Sequence, residues 1–393
     1  MTLGQSRILR AFALSGALFM AQLAAGAAQP THAAEANARP MVIFDQDAAG
    51  PAGSDMQSML MLLQDKDIDL LGICVVTGDA WRDEEVSHTL RLLEIAHRTA
   101  IPVIPGAVFP LLNGRRRTQA WEDLYGKLFY DGAYMSHWPS ENTVSWTPLH
   151  PTTPYWVPPL PEGKPAIHAS TESAAAFMLR MVHAHPHQIT IIAGGSLTDL
   201  ALAAKLDPEF ASLAKELVFM GGSFNPVPAD NPFAQEYDNN PRQEFNMRFD
   251  PEAASIALHQ PWPKITEVPV DATSPTLMSR QLLGEVAKGA APFDHYLGRF
   301  GQVYPLWDET AVAVWLDPSL ITREKTLLVD VDTAFTANYG ATLSWPVGAG
   351  PNLGERPVRV VFSVDVPKLD GLVVRLLTAA NPVAVRQGSP GKH

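Results

Sequence analysis

The sequence predicts an α/β fold: a Rossmann-like, open, mostly parallel sheet with helices on both faces. Three observations predict it. Short apolar runs of strand length alternate with segments of helical spacing, the pattern of parallel βαβ units. The clearest of these runs show no polar alternation, as strands covered on both faces do not. Most of them end in glycine or an acidic residue, the chemistry of a turn at a strand's C-terminal end.

The first 34 residues read as a leader. Arg7 and Arg10 precede a small, apolar stretch, Ala11–Ala28, and alanine-rich sites follow at Ala25–Ala28 and Ala33–Ala34. This is the layout of a secretory signal peptide. Ser15, Gly16 and Gln22 interrupt the apolar run, which argues against a permanent membrane anchor. The expectation is a periplasmic or secreted protein in which residues 35–393 form a single domain. Cys74 is the one cysteine, so no intrachain disulfide can form, and its apolar surroundings make it a packing residue. With 46% hydrophobic and 18% charged residues the chain has a globular balance. Its net charge of -12 argues against a nucleic-acid backbone as partner, though not against a nucleoside.

Met41–Phe44 is the first strand, followed by Asp45, Asp47, a Gly/Ala/Pro loop, Asp55 and the helical run Met56–Leu63. Ile68–Val76 is a second strand, ending in Thr77-Gly78-Asp79. Glu84–Arg98 has helical spacing, with Val86, Leu90, Leu93 and Ala96 on one face. Pro102–Ile104 is a short strand. Residues 109–166 then break the alternation with many prolines, the run Arg115-Arg116-Arg117 and a series of tryptophans and tyrosines. So long a connection reads as a lid or specificity insertion. Its arginines read as solvated and its aromatics as packing their own loop, with stacking on a flat substrate as the alternative.

From Glu172 the alternation resumes with a helix to Ala184 and a strand, Gln188–Ala193, that ends in Gly194-Gly195. Helix Leu200–Leu206 and strand Leu217–Met220 follow. After an Asn/Pro-rich loop come Glu244-Phe245-Asn246 and a helix start at Asp250-Pro251-Glu252. Strand Ile265–Val270, helix Gln281–Lys288 and a mixed segment, Asp294–Trp307, lead to Asp308-Glu309 and an apolar helix, Thr310–Leu316. Strands near Thr326–Val331, Ala341–Trp345 and Val358–Ser363 precede a last helix, Val366–Ala379.

Carboxylates at strand C-termini lie where open α/β sheets bind ligands. Asp45 and Asp47 would share a side if their strand continued. Asp55 would stand near the next helix start. Three such groups converging on one crevice repel unless something positive lies among them, and a hard cation that prefers oxygen answers that need. Turn and helix-capping roles for the same residues are the alternative.

Asp45, Asp47, Asp55, Asp79, Glu244, Asn246 and Asp308 all flank strand ends. The ordered set of IFDQD…SD, GICVVTGD, PVIPGA, IIAGGSLTDLALA, LVFMGG, EFNMRFDPEAA, VDAT and WDETAVAVWLDP resembles the calcium-dependent inosine-uridine nucleoside N-ribohydrolases over nearly the whole mature chain. The resemblance implies a nucleoside hydrolase fold and hydrolysis of ribonucleosides to ribose and free base, with inversion at the anomeric carbon. It implies Asp47 as general base and ligand to Ca2+, with Asp55, Asp308 and the Ala193 carbonyl as further ligands. Glu244 and Asn246 match ribose contacts, and Asn239 or Asn240 matches another. Asp79 stands where the family usually has Asn, and Asp45 matches a supporting position. Dimers or tetramers are also implied.

Three departures stand out. Three extra residues separate Asp47 from Asp55 relative to the family's DxDPGxDD. Ser54 replaces an aspartate that helps hold the sugar. Trp307 stands where many members have a histidine that assists the departing base, and a tryptophan is a donor only. His137, His150, His295, Tyr296 and Tyr304 are the candidates to replace it, though each reads first as structural or exposed, and Trp307 could stack on the base instead. A second reading follows from these departures: a non-catalytic periplasmic nucleoside- or sugar-binding protein of the same fold. A metal phosphatase is a third, but no phosphate-cradling loop is evident.

Overall fold

A computed structural model describes residues 39–137, 146–226, 241–289 and 293–379. The leader, the part of the insertion at 138–145, and Asn239 and Asn240 lie outside the described residues. The strands are β1 (Met41–Gln46), β2 (Asp69–Val75), β3 (Val103–Pro105), β4 (Ile189–Ala193), β5 (Glu216–Met220), β6 (Ile265–Val268), β7 (Ile321–Val331), β8 (Thr342–Pro346) and β9 (Pro357–Val364). They form one sheet in the order β3-β2-β1-β4-β5-β6-β9-β7-β8. Every pairing from β3 to β9 is parallel, and β7 and β8 close one edge antiparallel.

Alternation along β1 explains the layering. Val42 and Phe44 enter one apolar core and Ile43 the other. The first face is covered by α1 (Ser54–Gln64), α2 (Arg82–Ile95) and later helices described below. The insertion carries α3 (Arg115–Tyr125) and a 3₁₀ turn at Gly132–Tyr134. The second face is covered by α4 (Ala174–Ala184), α5 (Thr198–Leu206) and α6 (Phe210–Leu213), then, after the short α7 (Phe245–Phe249), by α8 (Pro251–Leu258). After the short α9 (Val270–Thr273), the chain returns to the first face with α10 (Arg280–Val286), α11 (Phe293–Phe300), α12 (Trp307–Leu316) and α13 (Val366–Leu377). Among the described residues no helix is long and apolar enough to cross a membrane. Cys74 is buried in β2 as a free thiol, as its sequence context implied.

The chain leaves β1 toward β2 on one side and comes back to β4 on the other, which opens a crevice at their C-terminal ends. Asp45 pairs in register with Ala193 there, and Gly194 N–H donates to the Asp45 carbonyl at 2.7 Å.

The insertion departs from the sequence reading. Its aromatics pack on the rest of the protein rather than only on their own loop. Tyr134 stacks on Phe249 with centroids 5.0 Å apart, Tyr130 meets Phe245 edge-on at 5.0 Å, and Trp121 Nε1 donates to the Thr336 carbonyl at 2.7 Å. The Ala133 N–H donates to the Gly78 carbonyl at 2.8 Å, so the insertion is docked on the crevice wall. Arg117 is not simply solvated either: its guanidinium lies 4.2 Å from the Phe335 ring centroid.

Candidate active site

β1 ends at Gln46, so the chain turns before Asp47 and the two aspartates diverge. Asp45 faces Asp199 in the first turn of α5. Burial and then the Asp199 charge hold the Asp45 carboxyl well above the ordinary range. Burial pushes Asp199 up to about 7, against the Ala107 N–H that it accepts at 2.8 Å. These two acids form a pair beneath the crevice floor.

Asp47 lies between two glycines. A side-chain carbon on Gly78 would collide with its Oδ2, and one on Gly195 would stand 2.8 Å from its Oδ1. Gly194 completes the cradle: a carbon there would lie 2.7 Å from Asp55 Oδ1 and 3.2 Å from Asp308 Oδ1. The apolar strand β4 therefore ends in glycines because three carboxylates close on its tip. Asp55 and Asp308 come from the first turns of α1 and α12, where a carboxylate also suits the positive end of a helix dipole.

All three carboxyls are buried, and Asp47 Oδ2, Asp55 Oδ1 and Asp308 Oδ1 have no hydrogen-bond partner. Each is held well above the ordinary carboxylate range. Burial is the largest cause for all three. Next come Asp55 for Asp47, Asp308 for Asp55, and Glu309 for Asp308. Among the described residues no lysine or arginine relieves this set. Buried like charges with unsatisfied oxygens form a donor set suited to a hard divalent cation.

The surrounding wall carries the sugar-contact candidates. Glu244 is the N-cap of α7 and accepts the N–H groups of Asn246 (2.9 Å), Met247 (3.0 Å) and Gly222 (3.0 Å). Asn246 Nδ2 donates to the Gly194 carbonyl at 2.6 Å, fastening α7 to the tip of β4. Asp79 follows β2, and burial pushes its carboxyl up to about 7 against a hydrogen bond from Tyr130. Trp307 opens α12 and lies parallel to Tyr304 at 6.1 Å. Ser54 Oγ donates to Glu309 Oε2 at 2.6 Å and accepts the Asp308 N–H at 3.0 Å.

The five candidates for the leaving-group acid are drawn elsewhere. His150 is paired with Glu84, His295 is 91% exposed, and His137 bonds only weakly, at 3.4 Å, to its neighbour Ser136. The Tyr296 hydroxyl accepts the Ala52 N–H at 2.8 Å, and Tyr304 donates to the Ala52 carbonyl. Both tyrosines thereby clamp the lengthened loop between Asp47 and Asp55.

Four buried acids beside or behind the site escaped sequence reasoning: Glu85, Asp199, Glu267 and Glu309. Asp199, Glu267 and Glu309 stand in or beside apolar runs, and a carboxylate in such company was the signal available; Glu85 lies in the charged stretch 82–85, where no such signal marks it.

Residues 42–370 match the inosine-uridine preferring nucleoside hydrolase family. The chain belongs to that family. It is 26% identical over 350 residues to the inosine-uridine preferring nucleoside hydrolase of Crithidia fasciculata, covering 86% of this chain and 96% of the relative. It is 28% identical over 344 residues to uridine nucleosidase 1 of Arabidopsis thaliana, covering 83% and 89%. A plant nucleoside hydrolase structure superposes with a TM-score of 0.65 at 23% identity, covering 87% of this chain and all of that one, which shows the shared fold. Family membership agrees with the α/β architecture and makes this protein a nucleoside hydrolase. The family is metal-dependent. A separate trio, His259 after α8, Asp330 on β7 and Glu355 just before β9, has donor atoms within 4.8 Å of one another and shares no residue with the carboxylates at the tip of β4.

Proposed function

We propose that this nucleoside hydrolase cleaves the N-glycosidic bond of ribonucleosides by direct water attack, with Asp47 as the base that takes the water's proton. One observation carries the reading: Asp47, Asp55 and Asp308 converge on Gly194-Gly195 with unpartnered oxygens, and among the described residues no lysine or arginine is paired with them. A calcium ion held by Asp47, Asp55, Asp308 and the Ala193 carbonyl would, when bound, lower the pKa of water and orient vicinal hydroxyls. Bond cleavage builds positive charge on the ribose ring, which the surrounding carboxylates stabilise. Proton abstraction by Asp47 accounts for about 10²–10⁴-fold of the rate.

Glu244 is fixed by three amides, and Asn246 by the Gly194 carbonyl, which preorganises both to hold sugar hydroxyls. Asp79 and an asparagine at 239 or 240 would add contacts. The parallel Trp307–Tyr304 pair offers a flat apolar wall suited to a nucleobase. Asp45 acts from behind, through the tip of β1. The leader-like N-terminus supports a periplasmic or secreted location, and the resemblance supports a homo-oligomer.

Asp47→Asn keeps the shape and removes the base. Ribose release from inosine or uridine is expected to fall by about 100-fold or more. Turnover like that of the wild type would remove Asp47 from this role. The non-catalytic reading is disfavoured by family membership. It would return only if wild-type protein supplied with calcium released no ribose from inosine, uridine or a riboside with a good leaving group.

A further inference from the structure

Two helices deliver Asp55 and Asp308, and neither has a side-chain cap of its own. Gly53 precedes α1 and Leu306 precedes α12, and neither supplies a side-chain cap bond. The first-turn amides of α12 therefore need acceptors from elsewhere. Ser54 meets that need from the other helix: its Oγ accepts the Asp308 N–H at 3.0 Å. The hydroxyl proton is then directed by Glu309, whose Oε2 accepts it at 2.6 Å. Glu309 is fully buried and Ser54 is 8% exposed, so water does not replace these bonds freely. The contact spans 255 positions of sequence and joins the residue before Asp55 to the residue after Asp308.

We propose that Ser54 and Glu309 form a positioning clasp that sets the spacing of the Asp55 and Asp308 carboxylates, and so the affinity of the site for a divalent cation. The inference rests on the proposed reading of Asp55 and Asp308 as metal ligands. Neither clasp residue needs to touch the ion. Glu309 orients the Ser54 hydroxyl so that its lone pair meets the Asp308 amide, and this locks the starts of α1 and α12 together. Partners of this kind, one bond behind a ligand, typically govern metal affinity by about 10–100-fold.

The test is calorimetric titration of calcium into chelator-stripped protein, with ribose release measured in parallel. Ser54→Ala and Glu309→Ala are each expected to weaken calcium binding by about tenfold. The double variant should be no weaker than the worse single one, because the two residues act as one unit. Glu309→Gln keeps an acceptor oxygen and should recover most of the affinity. Ion-free thermal unfolding of every variant checks that the fold survives, and Glu309→Gln keeps the test decisive if an alanine variant does not fold. Calcium affinity within twofold of wild type in both alanine variants overturns the clasp and leaves the ligand reading standing. Additive losses in the double variant also overturn it. Wild-type protein that binds no calcium overturns the ligand reading and removes the clasp's purpose with it.

Discussion

Glu84 and Glu85 are neighbours on α2 and both are buried, yet their carboxyls are driven in opposite directions. Burial would raise Glu84, but hydrogen bonds from His150, His88 and Thr147 outweigh it and bring it down to about 2. Glu85 is held well above the ordinary range, by burial first and then by Asp79 and Asp55, despite the Ala80 N–H it accepts at 2.7 Å. The side of α2 facing the insertion thus carries carboxylates interleaved with imidazoles. The side facing the crevice carries carboxylates alone. Partner sign, not depth, separates a cluster that neutralises itself from one that waits for a cation.

The self-neutralised cluster is a fastener. His88 is fully buried between Glu84 and Glu162, and Glu84 reaches on to His150 and Thr147. Arg91 donates to the Glu162 carbonyl at 3.0 Å. Glu84, His88 and Arg91 thus anchor three points of the insertion to one helix. His88 also packs against Gly50, where a side-chain carbon would stand 2.7 Å from its ring, so the same imidazole supports the lengthened loop between Asp47 and Asp55.

The contrast breaks most sharply on stability. His88→Ala leaves the Glu162 carboxylate without its imidazole and Glu84 with that of His150 alone, and is expected to cost about 3–5 kcal/mol. Asp55→Asn removes one of several repelling charges, so the ion-free protein should be as stable as wild type or more so, while ribose release collapses. Denaturant unfolding in chelator reads both. Equal destabilisation by the two substitutions would erase the distinction drawn between the clusters.

A smaller effect follows from the ion itself. Calcium at 100 times its Kd should stabilise the protein by about 2.7 kcal/mol. At one fixed calcium concentration the gain should grow from pH 5 to pH 8, because the ligands must shed protons to bind. The ion-free sign is the reverse. Raised carboxyl pKa values contribute stability below the ordinary range that is lost as pH rises through the raised values. Melting temperatures with calcium and with chelator should therefore diverge as pH rises. Curves that stay parallel would argue against a cation at these carboxylates.

The sheet was legible because its strands are continuous apolar runs, and Val42, Phe44, Ile191 and Phe219 within them are buried. The edge order β9-β7-β8 was not, since nothing local says that β9 inserts beside β6. Asp47, Asp55 and Asp308 were legible through their motifs and strand-end positions. Their divergence from Asp45 was not, because it depends on β1 stopping one residue before Asp47. Ser54 read as a lost carboxylate. Only the fold brings Glu309, 255 positions away, against its hydroxyl. The histidines read first as structural or exposed, but what each one holds was not legible: only the fold brings His150 to Glu84, 66 positions away.

The smallest test concerns that last pair. His150 is half-buried, with Nε2 on Glu84 and Nδ1 near the Thr153 carbonyl at 3.1 Å. Burial would lower its pKa, but the bond to Glu84 and that carboxylate's charge outweigh it, so it lies above the ordinary 6.5. An imidazole raised in the folded state contributes stability that is complete below 6.5 and fades as pH climbs through the raised value. Glu84 has the opposite sign: its contribution is complete above 4.5 and fades as pH falls toward about 2. The fastener is strongest between those limits. His150→Gln keeps a donor for Glu84 but cannot titrate. It should cost about 1 kcal/mol at pH 6 and less at pH 9, where the wild-type imidazole has lost its proton as well. His88 keeps titrating in both proteins, against the same Glu84 and Glu162 and beside the same Arg91, so the difference between them isolates His150. Unfolding free energies at the two pH values read it directly. A cost that is the same at pH 6 and pH 9 would mean that His150 holds the insertion by shape and hydrogen bonding alone.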